Sequence, residues 1–163
     1  MANKYVDLNT VKFFMNNVQE LESVLSKQRF ADHNLESVDM FIDSVKQFAD
    51  RELFPYFKEM DENPAHYKDG SIHVHQQVGK MMKEGGEMGL IAAPFDYEDG
   101  GLQLPLLVHT AAKYILDAAN NHLPGYSGLT TGAAELIIEF ASKELKKNIL
   151  LKCLQESGAE QCV

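Results

Sequence analysis

The sequence predicts an all-α protein, an antiparallel bundle of about six helices. Apolar residues recur at three- and four-residue spacing in six successive segments, and alternating strand-like runs are nearly absent. The longer self-similarity of a solenoid is not visible either. With 163 residues and hydrophobic types at 45%, the chain can bury the core such a bundle needs, so disorder is not the default.

Asn9 or Thr10 is expected to cap a first helix, whose stripe is Val11, Phe14, Met15, Val18, Leu21 and Leu25 and whose end lies near Arg29. A second begins after Leu35 and carries Val38, Phe41, Ile42, Val45, Phe48, Ala49 and Leu53. Pro55 interrupts it: the ring lacks an N–H for the Arg51 carbonyl and crowds the preceding turn, so a kink is expected. The pattern resumes at Tyr56, Phe57 and Met60, and Asn63-Pro64 and Asp69-Gly70-Ser71 read as loop. A third helix runs from about Ile72 to Met88 with Val78, Met81, Met82 and Met88 inward; Gly85-Gly86 weakens its last turn and Gly89 stops it. Leu90 to Leu104, with Pro94 and Gly100-Gly101, is a loop, and Leu106 to about Asn121 a fourth helix. The fifth spans Pro124 to Phe140, with Pro124 at a first helical position where a missing N–H is harmless. Ser142 caps a sixth that reaches about Gln155 and turns Leu145, Ile149, Leu150, Cys153 and Leu154 to one side. From Ser157 onward the polar, small residues are expected to fray.

A net charge of −9 disfavours phosphate backbones and anionic lipid, so no nucleic-acid partner is expected. No uncharged apolar run is long enough to cross a bilayer, and the N-terminus lacks the apolar stretch of a signal peptide, so no membrane insertion is expected. Cys153 and Cys162 are too few to frame a disulfide-rich secreted fold, which places the protein in the reducing cytoplasm.

Several constellations invite a chemical reading. His66, His73 and His75 lie close together, but two residues apart at a helix start do not share a face, so these read as solvated histidines and no metal is expected. Glu84-Gly85-Gly86-Glu87 and Glu98-Asp99-Gly100-Gly101 are flanked by carboxylates that would repel a phosphate, and read as turns needing positive φ. Glu135 and Glu139 are a carboxylate pair on one helix, and Lys143 stands four residues further on, the spacing of a surface ion pair. Ser127 lacks the second glycine and the preceding strand of a nucleophile elbow, and Cys153 reads as a buried, inert thiol. No catalytic residue is assigned. Pro124, Gly125, Gly128, Leu129, Gly132 and Ala133 line one face of the fifth helix with small residues, although each interior Gly costs about 1 kcal/mol relative to Ala. Something must approach that face closely, and spacing alone leaves a ligand and a second helix equally open.

At Gly86-Glu87-Met88-Gly89-Leu90-Ile91-Ala92-Ala93-Pro94, followed by Tyr97-Glu98-Asp99-Gly100-Gly101-Leu102, the chain resembles the acyl-CoA dehydrogenase family, in which a helix ends in Gly-Leu, reaches a Pro and turns through Tyr-Gly-Gly. Upstream, Phe48 to Pro55 resembles the family's kinked first core helix; downstream, Ile138 to Lys147 resembles its "G-T/S-E-E-Q-K" helix start. The first helix and Lys68-Asp69-Gly70-Ser71-Ile72 further resemble the branch that includes 3-methylmercaptopropionyl-CoA dehydrogenases. Ala141 stands where the family has glycine, and Tyr97-Glu98-Asp99-Gly100-Gly101 is one residue longer than its counterpart.

The resemblance divides the chain into an N-terminal extension helix (1–34), an acyl-CoA dehydrogenase N-terminal helical domain (35–156) and a tail where a β-domain would begin (157–163). It implies that the whole enzyme uses FAD, desaturates an acyl-CoA thioester between the α and β carbons, passes electrons to an electron-transfer flavoprotein and forms a homo-oligomer. A glutamate base and the flavin-supporting β-domain belong to regions that do not follow here, so this part is expected to bind no FAD alone and to be inactive. Its share, by the same resemblance, is one wall of the acyl pocket, formed by Pro124, Gly125, Gly128, Leu129 and Gly132. The rival reading is a stand-alone helical protein-interaction module that docks another chain on the same apolar faces.

Overall fold

The computed structural model describes residues 5–150, whose regular structure is helical apart from one small hairpin. Asp7, rather than Asn9 or Thr10, caps α1 (Leu8–Phe13): its Oδ1 accepts from the Asn9 N–H at 3.1 Å, and the Thr10 hydroxyl donates to its Oδ2 at 2.9 Å. The single helix expected to reach Arg29 is broken. A π turn at Phe14–Val18 is followed by Glu20 in the left-handed region (φ 50°), then α2 (Leu21–Leu25) and a 3-10 turn at Gln28–Phe30. The wider turn rotates the apolar stripe, so Val11, Met15, Leu21 and Leu25 are buried while Phe14 and Val18 face outward. Lys12 reaches Asp43 at 2.9 Å, and Tyr5 stacks on Phe54 while its hydroxyl donates to Asp50 at 2.8 Å. These contacts hold the N-terminal segment on the domain.

Helix α3 (Leu35–Phe48) starts on a reciprocal cap, in which Asn34 Oδ1 accepts from the Ser37 N–H at 2.8 Å and Ser37 Oγ accepts from the Asn34 N–H at 3.0 Å. Its buried stripe is Val38, Ile42, Val45 and Phe48. The irregularity expected at Pro55 begins earlier: a π turn at Ala49–Leu53 and a 3-10 turn at Phe54–Tyr56 precede α4 (Phe57–Glu62). These changes of pitch accommodate the missing proline N–H. Met60 is buried, but Phe57 is exposed. Ile72 does not begin a helix. It lies in β2 (Ser71–His73), which pairs antiparallel with β1 (His66–Lys68) across Asp69-Gly70. Both turn residues have positive φ, 51° and 82°, the requirement of a two-residue hairpin turn, so the segment read as plain loop is a hairpin.

Helix α5 (Gln77–Glu87) therefore starts later than expected, where the Gln77 N–H donates to His75 Nδ1 at 3.1 Å. It buries Val78, Met81 and Met82, as the apolar pattern predicts. Gly89 ends it at φ 74°. The following loop is buried at Leu90, Ile91, Ala92 and Ala93 and closes on itself through bonds such as Leu104 N–H to Ala93 O at 2.8 Å. Helix α6 (Leu106–Ala119) packs on α3 and buries Val108, Ala112, Ile115, Leu116 and Ala119. Helix α7 (Pro124–Phe140) has the expected bounds. Ser142 caps α8 (Lys143–Leu145), accepting from the Leu145 N–H at 3.3 Å, and a π turn at Lys146–Leu150 follows. The rest of the sixth helical segment, Cys153 with it, and the tail from 157 lie outside the described residues.

Candidate functional site

The placement of α7 starts at the corner before it. Asn120 is extended (φ −168°), which ends α6, and its buried amide donates to Leu53 O at 3.1 Å while its Oδ1 accepts from the His122 N–H at 3.1 Å. The corner is thus tied to the π turn after α3. Leu123 is fully buried, and Pro124 enters the helix at its first turn. Further along, Thr131 Oγ1 lies 3.0 Å from both Ser127 O and Ile91 O, so its hydroxyl tethers α7 to the buried loop. Thr130 and Ala134 complete the inward side, with the Thr130 hydroxyl satisfied by Tyr126 O at 3.1 Å.

The opposite side is open. Gly125, Gly128 and Gly132 are exposed, and an added Cβ at any of them would meet no atom within 4 Å. The expected close approach is therefore not made by any described part of this chain, and a tightly packed second helix is not its explanation here. Leu129, Leu136 and Phe140 share this outward side at 79%, 62% and 82% exposure, so α7 turns large apolar groups away from its own core. Pro124 departs from the expected set, because it is buried beneath the corner rather than on the open face. Behind Gly128, between α6 and α7, lies a cavity of only 30 Å³, bounded by His109, Leu116, Pro124 and Thr131 among others. That is far below the few hundred Å³ typical of a ligand pocket. His109 is held below its ordinary pKa by burial first and by neighbouring Lys113 second. A groove of 590 Å³ lies elsewhere, between the N-terminal segment and α6, lined by Val6, Val11, Phe14, Met15, Leu107 and Tyr114 among others.

The open face of Gly125, Gly128, Leu129 and Gly132 carries no side-chain hydrogen-bond donor, so it suits a hydrocarbon chain and does not fit the diphosphate of FAD. No chemical step through a flavin follows from these residues.

One ionic cluster escaped the sequence reading. Glu52 is buried, with Arg51 Nε at 2.6 Å, Lys80 Nζ at 2.7 Å and Gln77 Nε2 at 2.8 Å. Burial alone would push the carboxyl up, but the hydrogen bonds from Lys80, Arg51 and Gln77 outweigh it and hold it at about 2. The signal was present, since Glu52 continues the stripe Val38, Ile42, Val45, Ala49 at helical spacing. A carboxylate in a core register calls for a cation, which Lys80 supplies from α5.

Glu139 lies with Glu135 and Arg29 around a surface cavity of 140 Å³. Gly85 and Gly86 are helical and buried rather than turn residues, whereas Gly100 does take positive φ at 83°. Gly101 is required for a different reason: a Cβ there would stand 2.1 Å from Phe95 O. Among the described residues no group of three or more His, Cys, Asp or Glu is arranged to hold a metal ion, and no helix is long and apolar enough to cross a membrane.

A sequence model of the family described as "Acyl-CoA dehydrogenase, N-terminal domain" matches residues 36–157. No curated protein sequence matches the chain. A similar solved structure is described as "Electron transferring flavoprotein of Acidaminococcus fermentans: Towards a mechanism of flavin-based electron bifurcation"; the likeness has a TM-score of 0.55 and 25% identity over 77% of this chain. This chain spans 30% of the length of that one.

Proposed function

The chain belongs to the acyl-CoA dehydrogenase family through its N-terminal domain, and from that premise we propose that it supplies one wall of the acyl pocket of an FAD-dependent acyl-CoA dehydrogenase. The observation that carries this reading is the open face of α7, where Gly125, Gly128 and Gly132 leave a channel of missing side chains beside Leu129. Interior glycines that no described residue approaches weaken the helix without return, unless the space above them is filled by something else. An acyl chain is apolar, flexible and about one methylene wide, which suits such a channel. The wall binds and orients the thioester; the flavin and the base that takes the α-proton would stand on other parts of the enzyme. The chain spans 30% of the length of the similar solved structure, and the reading assigns it this wall and no catalytic group. We place the enzyme in the cytoplasm, as a homo-oligomer in fatty-acid metabolism that hands electrons to an electron-transfer flavoprotein. We further propose, on the resemblance of the first helical segment and Lys68-Asp69-Gly70-Ser71-Ile72, that it belongs to the branch that includes 3-methylmercaptopropionyl-CoA dehydrogenases.

Gly128→Leu and Gly132→Leu, placed in an enzyme carrying the remaining domains, should shift preference toward shorter acyl chains by raising KM for long ones while leaving kcat for short ones nearly unchanged. An unaltered chain-length profile would remove α7 from the pocket. The exposed Leu129, Leu136 and Phe140 also fit a helical interaction module, and that reading predicts no response to chain length but loss of a protein partner.

A further inference from the structure

The hairpin places two imidazoles together that the sequence order had kept apart. His66 and His73 are direct cross-strand partners, their rings stacked with centroids 5.4 Å apart and planes within 19° of each other. Directly paired residues of an antiparallel ladder project to the same side, and the turn through Asp69 and Gly70 fixes that register. Both histidines are exposed, and they border a surface cavity of 450 Å³ with Glu62, Asn63, Val74 and His75, room enough for an ion and its waters. His75 is already engaged: its Nδ1 accepts from the Gln77 N–H at 3.1 Å and its Nε2 faces Glu59 at 3.1 Å. Among the described residues, neither the His66 nor the His73 imidazole has a side-chain hydrogen-bond partner.

We propose that His66 and His73 form a two-imidazole chelate for a divalent transition metal of the Ni²⁺ or Cu²⁺ kind, with water completing the coordination. Metal–imidazole bonds of about 2.0–2.1 Å put cis nitrogens roughly 3 Å apart, which rings stacked at this separation reach by small side-chain rotations. Two protein ligands leave Zn²⁺ short of the tetrahedral set it prefers, whereas Cu²⁺ and Ni²⁺ accept nitrogen and water in square or tetragonal arrangements. The affinity order is Cu²⁺ above Ni²⁺ and above Zn²⁺. The bound ion bridges β1 and β2 and stabilises the hairpin by binding the paired state alone.

Ni²⁺ is the probe of choice, because it does not oxidise the thiols of Cys153 and Cys162. Calorimetric titration of Ni²⁺ into the full chain should give one site per chain. His66→Asn and His73→Asn should each weaken it roughly 100-fold, the loss of a chelate to a single imidazole. Cys153→Ser/Cys162→Ser and His75→Gln should leave it unchanged. Absence of binding, undiminished binding in either single histidine variant, or comparable loss in the cysteine or His75 variant would each overturn the proposal.

Discussion

Two glycines of this chain look alike in sequence and differ in what they tolerate. At Gly101 a Cβ would lie 2.1 Å from Phe95 O and 2.7 Å from Ala92 O, both backbone atoms of the buried loop, so Gly101→Ala must displace main chain. A loss of about 3 kcal/mol or more is expected in urea unfolding. At Gly85 the nearest atoms to a Cβ are side-chain groups of Leu90, Phe48 and Met81 at 3.7–4.0 Å, ordinary contact distances, and the residue is helical. Gly85→Ala should raise stability by about 0.5–1 kcal/mol through helix propensity, and any loss would contradict the packing described. Glu52 makes a separate prediction in pH. Its carboxyl sits at about 2 in the fold against 4.5 in an ordinary setting, so its contribution is complete above pH 4.5 and fades as pH falls toward 2. Glu52→Gln should therefore cost about 2 kcal/mol at pH 7, less than for a fully buried pair because Arg51 and Lys80 keep access to water. The gap to the parent chain should close between pH 4.5 and 2; a gap independent of pH would mean that packing, not charge, holds the site.

At the level of elements, the break between α1 and α2 turns on Glu20, a non-glycine residue at φ 50° and ψ 50°. Such a conformation is strained by about 1 kcal/mol, so Glu20→Gly should be neutral to stabilising there, where the same change inside a continuous helix would destabilise by about that amount. Thermal unfolding of this one variant thus distinguishes the broken helix from the continuous one that periodicity suggests. Helix α7 was legible to the residue, because Pro124 marks its start chemically and Ser142 caps the segment after it. The π turns at Phe14–Val18 and Ala49–Leu53 were not, since an extra residue in a turn leaves no signature in a three- and four-residue pattern. The hairpin was written in Asp69-Gly70, a pair suited to two successive positive φ values, but three-residue strands are too short to show alternation. For the candidate site, spacing grouped Gly125, Gly128, Leu129 and Gly132, which all lie exposed on α7, yet it could not show that Pro124 is buried. Periodicity reports which residues share a face; whether that face is covered depends on what stands opposite.

For the whole molecule, the uncovered apolar faces have a consequence in solution. Leu129, Leu136 and Phe140 present a contiguous apolar side along α7, and the groove between the N-terminal segment and α6 adds exposed Phe14 and Tyr114. Patches of this kind on an isolated domain seek partners, and for a chain alone at high concentration the available partner is another copy. A net charge of −9 opposes close approach at low salt, so association should strengthen as salt screens the repulsion. Sedimentation across a wide concentration range should therefore show a monomer giving way to a larger species, more readily at high salt. Leu129→Glu with Leu136→Glu should keep the chain monomeric without loss of stability, because neither side chain contributes to the core. Persistent association in that variant would move the contact away from α7 and toward the α6 groove. A chain strictly monomeric under all these conditions would mean that water tolerates the α7 face as it stands and that the face needs no partner to cover it.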